Sequence, residues 1–316
     1  MPQLSLQEWQ RLDIVARWLV ATRASVLFMT LMSAALGGLL AGFDGHFNFA
    51  VWCLCALGLV MAHATNNLLN DYTDSRRGID KDNYYRNQYG VHVLEDELLT
   101  PRQFWGYVAV TAMLALVPGL YLVWQSGGVT LSLLLAGAFF VLFYTWPLKY
   151  FGLGEPAVLL VWGPLMVGGT YYVLAGEWSW PVTWLSLLYA LGPTSVLFGK
   201  HIDKLELDAA KRVHTLPVIL GEVSARYWVC AMLMLQYLGT VALVLLGVWH
   251  WGLLLVLLNL ADFKKLLQVF SEPKPAEAPA ELPAGVWPLW FSAFAFSHTR
   301  RFTGLFLVGL LLQGVF

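Results

Sequence analysis

The chain is 316 residues long, 58% hydrophobic and only 12% charged, with a mean hydropathy of +0.62. That composition excludes an ordinary soluble domain and places the chain among membrane proteins. The formal net charge of −1 leaves no electrostatic footprint for nucleic acid, and Cys53, Cys55 and Cys230, each inside an apolar run, read as small buried hydrophobes rather than a disulfide framework or metal site.

Residues 1–23 carry scattered charges and no small-residue cleavage site before a short apolar core, so they do not read as a signal peptide. Within 1–19, residues 6–18 have the pattern of a short amphipathic helix lying on the membrane. A membrane helix needs about 20 mostly apolar residues. By that test the spans are 20–41, 49–69, 104–124, 129–147, 155–175, 181–200, 226–247, 250–270 and a last one within 287–316, nine in all. The start of the last is left open: either the whole of 287–316 contributes, or residues 287–296 are interfacial and Arg300-Arg301 marks where the span begins. The loops 42–48, 125–128, 176–180 and 248–251 contain no Lys or Arg, whereas all 19 fall at the N-terminus, in 70–104, at Lys149, in 200–226 and in 264–301. Basic loops stay inside, which puts the N-terminus in the cytoplasm and the C-terminus outside. The expected architecture is an all-α integral membrane protein forming one domain over 1–316, in a prokaryotic-type inner membrane. Residues 271–285, rich in Pro, Ala and Glu, read as a flexible cytoplasmic linker.

The two long inner loops carry the chemistry. The second span runs into the polar stretch 66–80. At helical spacing Asn66, Asn70 and Asp74 fall on one face, Asn67 lies beneath Asp71, and Asp80 follows Gly78, where a helix breaks. Acceptor oxygens gathered at membrane depth are costly unless a cation occupies them. Hard oxygen ligands without Cys or His suit Mg²⁺ carried on a diphosphate; the bland alternative is an ordinary polar helix end. The other loop, 199–217, brings Asp203, Glu206 and Asp208. Two like-signed clusters would repel unless they share counter-ions, and in one cavity they could hold two Mg²⁺ ions that in turn hold a diphosphate. Asp203 and Glu206 share a helical face while Asp208 lies well round from it, so either the helix unwinds or not all three are ligands. Arg23, Lys149, Lys211 and Arg212 are the cations expected to meet phosphate oxygens, with Lys149 preferred; the alternative for each is a basic anchor reaching the headgroups.

At these residues the chain resembles the UbiA superfamily of intramembrane prenyltransferases. Asn70-Asp71-Tyr72-Thr73-Asp74 followed by Gly78-Ile79-Asp80 resembles its first aspartate-rich motif. That form, with Gly152-Leu153-Gly154-Glu155, Gly163-Pro164 and Gly168-Gly169-Thr170-Tyr171-Tyr172, looks most like the 1,4-dihydroxy-2-naphthoate polyprenyltransferases. Thr215-Leu216-Pro217-Val218 and Leu220-Gly221 are similar to the family's residues just beyond its second motif. The second motif itself departs: Lys204 stands where the first of two acids belongs, Asp203 sits one residue early, and His201 stands in an amide-rich stretch. Glu97 also occupies a position where related chains often have Gly.

The resemblance implies nine helices in a ring around a central cavity opening to the inner leaflet. It implies Mg²⁺ as cofactor, and a polyprenyl diphosphate and a small aromatic acceptor as substrates. Combined with the residue reading, the expected metal ligands are Asn66, Asn70, Asp71, Asp74, Asp80, Asp203, Glu206 and Asp208. The expected diphosphate contacts are Arg23, Asn70, Lys149, Lys211 and Arg212, and the expected catalytic set is Asp71, Asp74, Lys149, Asp203 and Asp208. The reaction implied is transfer of the prenyl group to a ring carbon, with 1,4-dihydroxy-2-naphthoate as acceptor. The alternatives are another acceptor (4-hydroxybenzoate, homogentisate, a tetrapyrrole or a lipid alcohol), a membrane carrier, or an inactive relative. Against a carrier, the acids cluster at helix ends rather than mid-span in repeated halves. No protein partner can be inferred.

Overall fold

The computed structural model describes residues 4–80, 90–280, 282 and 286–312. Parts of the amphipathic segment, of the inner loop 70–104, of the linker 271–285 and of the last expected span lie outside these residues. Helices and their connections account for the described chain. Among the described residues, six helices are long and apolar enough to cross a membrane.

The amphipathic segment is two helices rather than one, α1 (Leu6–Arg11) and α2 (Ile14–Ala21). Asp13 divides them: its carboxylate accepts from Ala16 N and caps α2. Trp9 is buried while Ile14, Val15 and Leu19 face outward, so the pair presents an apolar surface to its surroundings. Arg23 then adopts a left-handed backbone (φ 57°) between α2 and α3 (Ala24–Phe43). A non-glycine residue there is uncommon; the reversal swings Arg23 toward the next helix.

The helix α4 (Phe49–Arg76) outruns the expected span by about two turns, because Asn66 to Arg76 continue helical instead of opening into a loop. It packs against α5 (Pro101–Ser126), α6 (Gly128–Phe143) and α3. The helix α7 (Gly154–Ala175) is interrupted at Gly163-Pro164, where the backbone leaves helical values and the turns widen over Val161–Gly168. Proline lacks the amide donor and its ring clashes with the preceding turn, which accounts for the kink. Next come α8 (Trp180–Asp203), the short α9 (Leu205–Ala210) and α10 (Leu216–Leu220), and then α11 (Glu222–Leu245).

The eighth expected span is divided: a 3₁₀ segment, Trp251–Asn259, leads into α12 (Leu260–Ser271). The last helix, α13 (Phe291–Leu311), starts nine residues before Arg300, so the arginine pair lies mid-helix rather than at a span's beginning. Its charge is offset where Arg301 pairs with Asp262 on α12. The largest core joins α8, α11, the 3₁₀ segment, α12 and α13 around Tyr189, Leu233, Phe263, Phe302 and Phe306. A second core packs Trp9, Leu68, Val93, Leu99 and Phe104 beneath the loop after α4. Large apolar side chains on α5 and α11, among them Val110, Trp124, Leu238 and Leu245, point outward, as they must where the solvent is lipid.

Candidate diphosphate site

A cavity of about 1210 Å³ lies among α3 to α8 and the start of α13, its wall mostly apolar. Of the abundant aromatic residues, Phe140, Tyr144, Trp162 and Phe296 are on it. Its polar groups collect at the end where α3 begins and α4 and α8 finish.

The first motif builds one side of that end. Asn66, Asn70 and Asp74 succeed one another at i, i+4 on α4 and all line the cavity. Lys149, in the turn after α6, puts Nζ 2.8 and 2.7 Å from the two oxygens of Asp74. Asn70 donates from Nδ2 to Asp74 Oδ2 at 2.9 Å, and its own carbonyl accepts from Thr145 Oγ1 at 3.3 Å. Asn66 donates to Val141 O at 3.0 Å, leaving its amide oxygen as an acceptor. Both Asp74 and Lys149 are buried, at 5% and 4% exposure, so the pair is held without bulk water. The helix then turns at Gly78 (φ 68°), with Ile79 N donating to Asp74 O at 2.9 Å. This turn folds Asp80 back to the cavity, where His92 Nε2 lies 2.9 Å from its carboxylate.

Asp71 is on the other face of α4. It is fully buried, off the cavity wall, and paired with Arg23, which does line the cavity. Asn67 donates to Thr22 O at 2.9 Å and so pins the reversal that carries Arg23. These two residues position an arginine rather than face a ligand.

The second motif is arranged differently from expectation. The α-helix ends at Asp203, Lys204 is non-helical (φ −123°, ψ 23°), and a new helix starts at Leu205, so Asp203 and Glu206 share no face. Asp203 accepts from Trp290 N (3.1 Å), Phe291 N (2.9 Å), Ser292 N (3.0 Å) and Ser292 Oγ (3.0 Å). It therefore satisfies the amides at the start of α13, away from the cavity wall. Asp208 Oδ1 accepts from Lys204 Nζ at 2.9 Å, and Glu206 is exposed. None of the three lines the cavity; Lys200, His201 and Lys204 do. His201 is fixed by Glu155, whose Oε1 is 2.5 Å from Nδ1 and whose Oε2 accepts from Leu216 N at 3.3 Å. Lys211 donates to Gly78 O at 3.1 Å and to Ile79 O, joining the two motif loops, and Arg212 is exposed with a left-handed backbone (φ 57°). Neither is on the cavity wall.

Among the described residues no three His, Cys, Asp or Glu side chains converge as a metal-holding group. The first motif nevertheless offers a donor set that fits Mg²⁺: two carboxylates and two amide oxygens on one cavity wall. Mg²⁺ is ordinarily held by one or two carboxylates together with substrate phosphates and water. The second motif presents no carboxylate to the cavity; it presents two lysines and a histidine. Lys200, Lys204 and the Glu155–His201 pair are the elements that sequence reasoning did not select. The i, i+4 spacing of Lys200 and Lys204 was the available signal.

Comparison with known proteins bears on the family and the fold. The UbiA prenyltransferase family model matches residues 30–282. The 1,4-dihydroxy-2-naphthoate octaprenyltransferase of Escherichia coli (strain K12) is 28% identical over 277 residues, 84% of this chain and 89% of that protein. The 2-carboxy-1,4-naphthoquinone phytyltransferase of Synechocystis sp. is 28% identical over 250 residues, 77% of this chain and 78% of its own. Among solved structures, the apo UbiA homolog from Aeropyrum pernix K1 superposes with a TM-score of 0.68 at 17% identity, over 92% of this chain and 98% of that one. A UbiA homolog from Archaeoglobus fulgidus bound to GPP and Mg²⁺ gives 0.61 at 13% identity, over 92% and 99%. The structural likenesses describe the fold, while the family model covers four-fifths of the sequence. On that coverage, this chain belongs to the UbiA prenyltransferase family.

Proposed function

We propose that the protein transfers a polyprenyl group from its diphosphate to a ring carbon of an aromatic acceptor, and that the acceptor is 1,4-dihydroxy-2-naphthoate. The observation that carries this reading is a largely apolar cavity ending in Arg23, Lys149, Lys200 and Lys204 beside Asp74 and Asp80. An isoprenoid tail belongs against the apolar wall, and a diphosphate belongs against the charged end. The naphthoate assignment draws on the names of the curated relatives, and Mg²⁺ on its presence with GPP in the Archaeoglobus structure. In this reading the chain crosses an inner membrane nine times, its helices ringing the cavity, with the N-terminus cytoplasmic.

Asp74, Asp80, Asn66 and Asn70 would hold the ion, which when bound supplies Lewis-acid neutralisation of the diphosphate. The ammonium of Lys149 and the guanidinium of Arg23 take up charge on the departing diphosphate as the allylic C–O bond breaks. Because these cations are fixed by Asp74 and Asp71, little reorganisation accompanies the step. The apolar wall keeps water from the allylic cation until the electron-rich ring attacks it, after which the attacked carbon loses its proton, or its carboxylate as CO2, and the ring regains aromaticity. Purified protein in nanodiscs, given a labelled prenyl diphosphate and a panel of aromatic acceptors, is expected to yield a prenylated naphthoate-derived product by mass. Turnover of another acceptor alone would reassign the substrate. Absence of product with every acceptor, together with uptake of the diphosphate into liposomes, would favour a carrier.

A further inference from the structure

Two metal ions were expected from two acidic motifs, yet only one motif brings acids to the cavity. We propose, resting on the prenyl diphosphate reading above, that the second motif is an anion subsite made of lysine. Lys200 and Lys204 bind the diphosphate directly, and the protein holds one divalent ion per bound prenyl diphosphate.

Three observations carry this. First, none of the acids of the second motif lines the cavity, although Asp208 keeps its buried Oδ2 without a hydrogen-bond partner. Asp203 accepts four hydrogen bonds from the start of α13, Asp208 accepts from Lys204, and Glu206 points outward. Second, the groups that do line the cavity from this segment are Lys200, His201 and Lys204. Lys200 lies in the last turn of α8 and Lys204 is the residue just past its end, both reaching the cavity wall, and a helix C-terminus favours cations. Third, Lys204 is braced. Its side chain is only 9% exposed and its Nζ rests 2.9 Å from Asp208 Oδ1, itself 2% exposed. A lysine so held is a preorganised point charge for phosphate oxygen.

The charge balance points the same way. Among the described residues the cavity wall carries four cationic side chains, Arg23, Lys149, Lys200 and Lys204, against two carboxylates, Asp74 and Asp80. The four cations and one divalent ion together already outweigh the two carboxylates and one bound diphosphate, so a second divalent ion beside Lys200 and Lys204 would be repelled with no carboxylate on the wall there to hold it. The substitution of an acid by Lys204 is thus read as exchange of a metal-mediated phosphate contact for a direct one.

The test counts ions and needs no turnover. Full-length protein in nanodiscs is equilibrated with Mn²⁺ and a non-transferable probe, geranyl thiolodiphosphate. Bound Mn²⁺ is read by electron paramagnetic resonance and bound probe by scintillation. Wild-type protein is expected to hold one Mn²⁺ per probe. Lys200→Met should weaken probe binding about tenfold, the loss of one charge-assisted contact, while keeping that ratio. The paired variant Lys200→Asn/Lys204→Asp, which places amide and acid on the cavity, should raise the ratio to two. Two Mn²⁺ per probe in wild type, or unchanged probe affinity in Lys200→Met, would overturn the lysine subsite while leaving the prenyl diphosphate reading intact. No probe binding by wild type under any ion would remove that reading and this inference together. If the paired variant fails to fold, the wild-type ratio and Lys200→Met still decide.

Discussion

Asp203 offers a sharp discrimination between a metal ligand and a structural cap. Its carboxylate accepts from three consecutive backbone amides, Trp290, Phe291 and Ser292, and from the Ser292 hydroxyl. Phe291 and Ser292 are 1% and 6% exposed, so water cannot replace the lost acceptor. In Asp203→Ala each stranded buried donor costs about 1–3 kcal/mol, and the first turn of α13 also loses its cap and a favourable dipole interaction, for a total of about 4 kcal/mol. Asp203→Asn keeps one acceptor oxygen but no charge and should lose about half of that. Equilibrium unfolding by SDS titration in mixed micelles, monitored by tryptophan fluorescence, measures both. Binding of Mn²⁺ with a prenyl diphosphate, measured at low temperature where the variant is still folded, should match wild type. Wild-type stability in Asp203→Ala, accompanied by loss of Mn²⁺ binding, would refute the reasoning and return Asp203 to the metal site.

Three further outcomes are expected. Asp74→Asn strands the buried ammonium of Lys149 and should destabilise the fold by about 3–5 kcal/mol; Asp74→Asn/Lys149→Met should recover most of that stability without recovering turnover, and restored turnover would exclude the pair from the site. A Cβ at Gly199 would lie 2.7 Å from Ser292 N and 2.8 Å from Phe291 C. Gly199→Ala must therefore push α8 from α13, lowering stability by about 1–3 kcal/mol in the same unfolding assay; a neutral effect would contradict the close crossing. Chelation with EDTA should stop product formation and added Mg²⁺ should restore it, whereas undiminished product in EDTA would exclude a metal from the reaction.

Much of this was legible in the residues themselves. Asn66, Asn70 and Asp74 were assigned to one face from spacing alone, and α4 continues far enough to make that spacing real. Gly78 as a break that returns Asp80 was likewise legible, because a left-handed turn after a helix favours glycine. The second motif was not. Helical spacing over 199–217 serves Asp203 and Glu206 as well as it serves Lys200 and Lys204. The choice between them is made by α13, whose amides claim Asp203 from 87 residues further along the chain. No local pattern encodes that claim. Nor does composition reveal the chain reversal at Arg23, which depends on Asn67 and Asp71 from another helix. The place of Arg301 within α13 was not legible for a related reason: Asp262, which offsets it, lies in a different segment.

The most direct test of the central claim is equilibrium binding of radiolabelled geranyl diphosphate to the purified protein in nanodiscs with Mg²⁺, compared with the double variant Asp74→Asn/Lys149→Met. Removing the ion's carboxylate and one phosphate-facing ammonium should weaken binding by about 100-fold or more, in a variant that unfolds like wild type. Equal affinity in the two proteins would contradict the account.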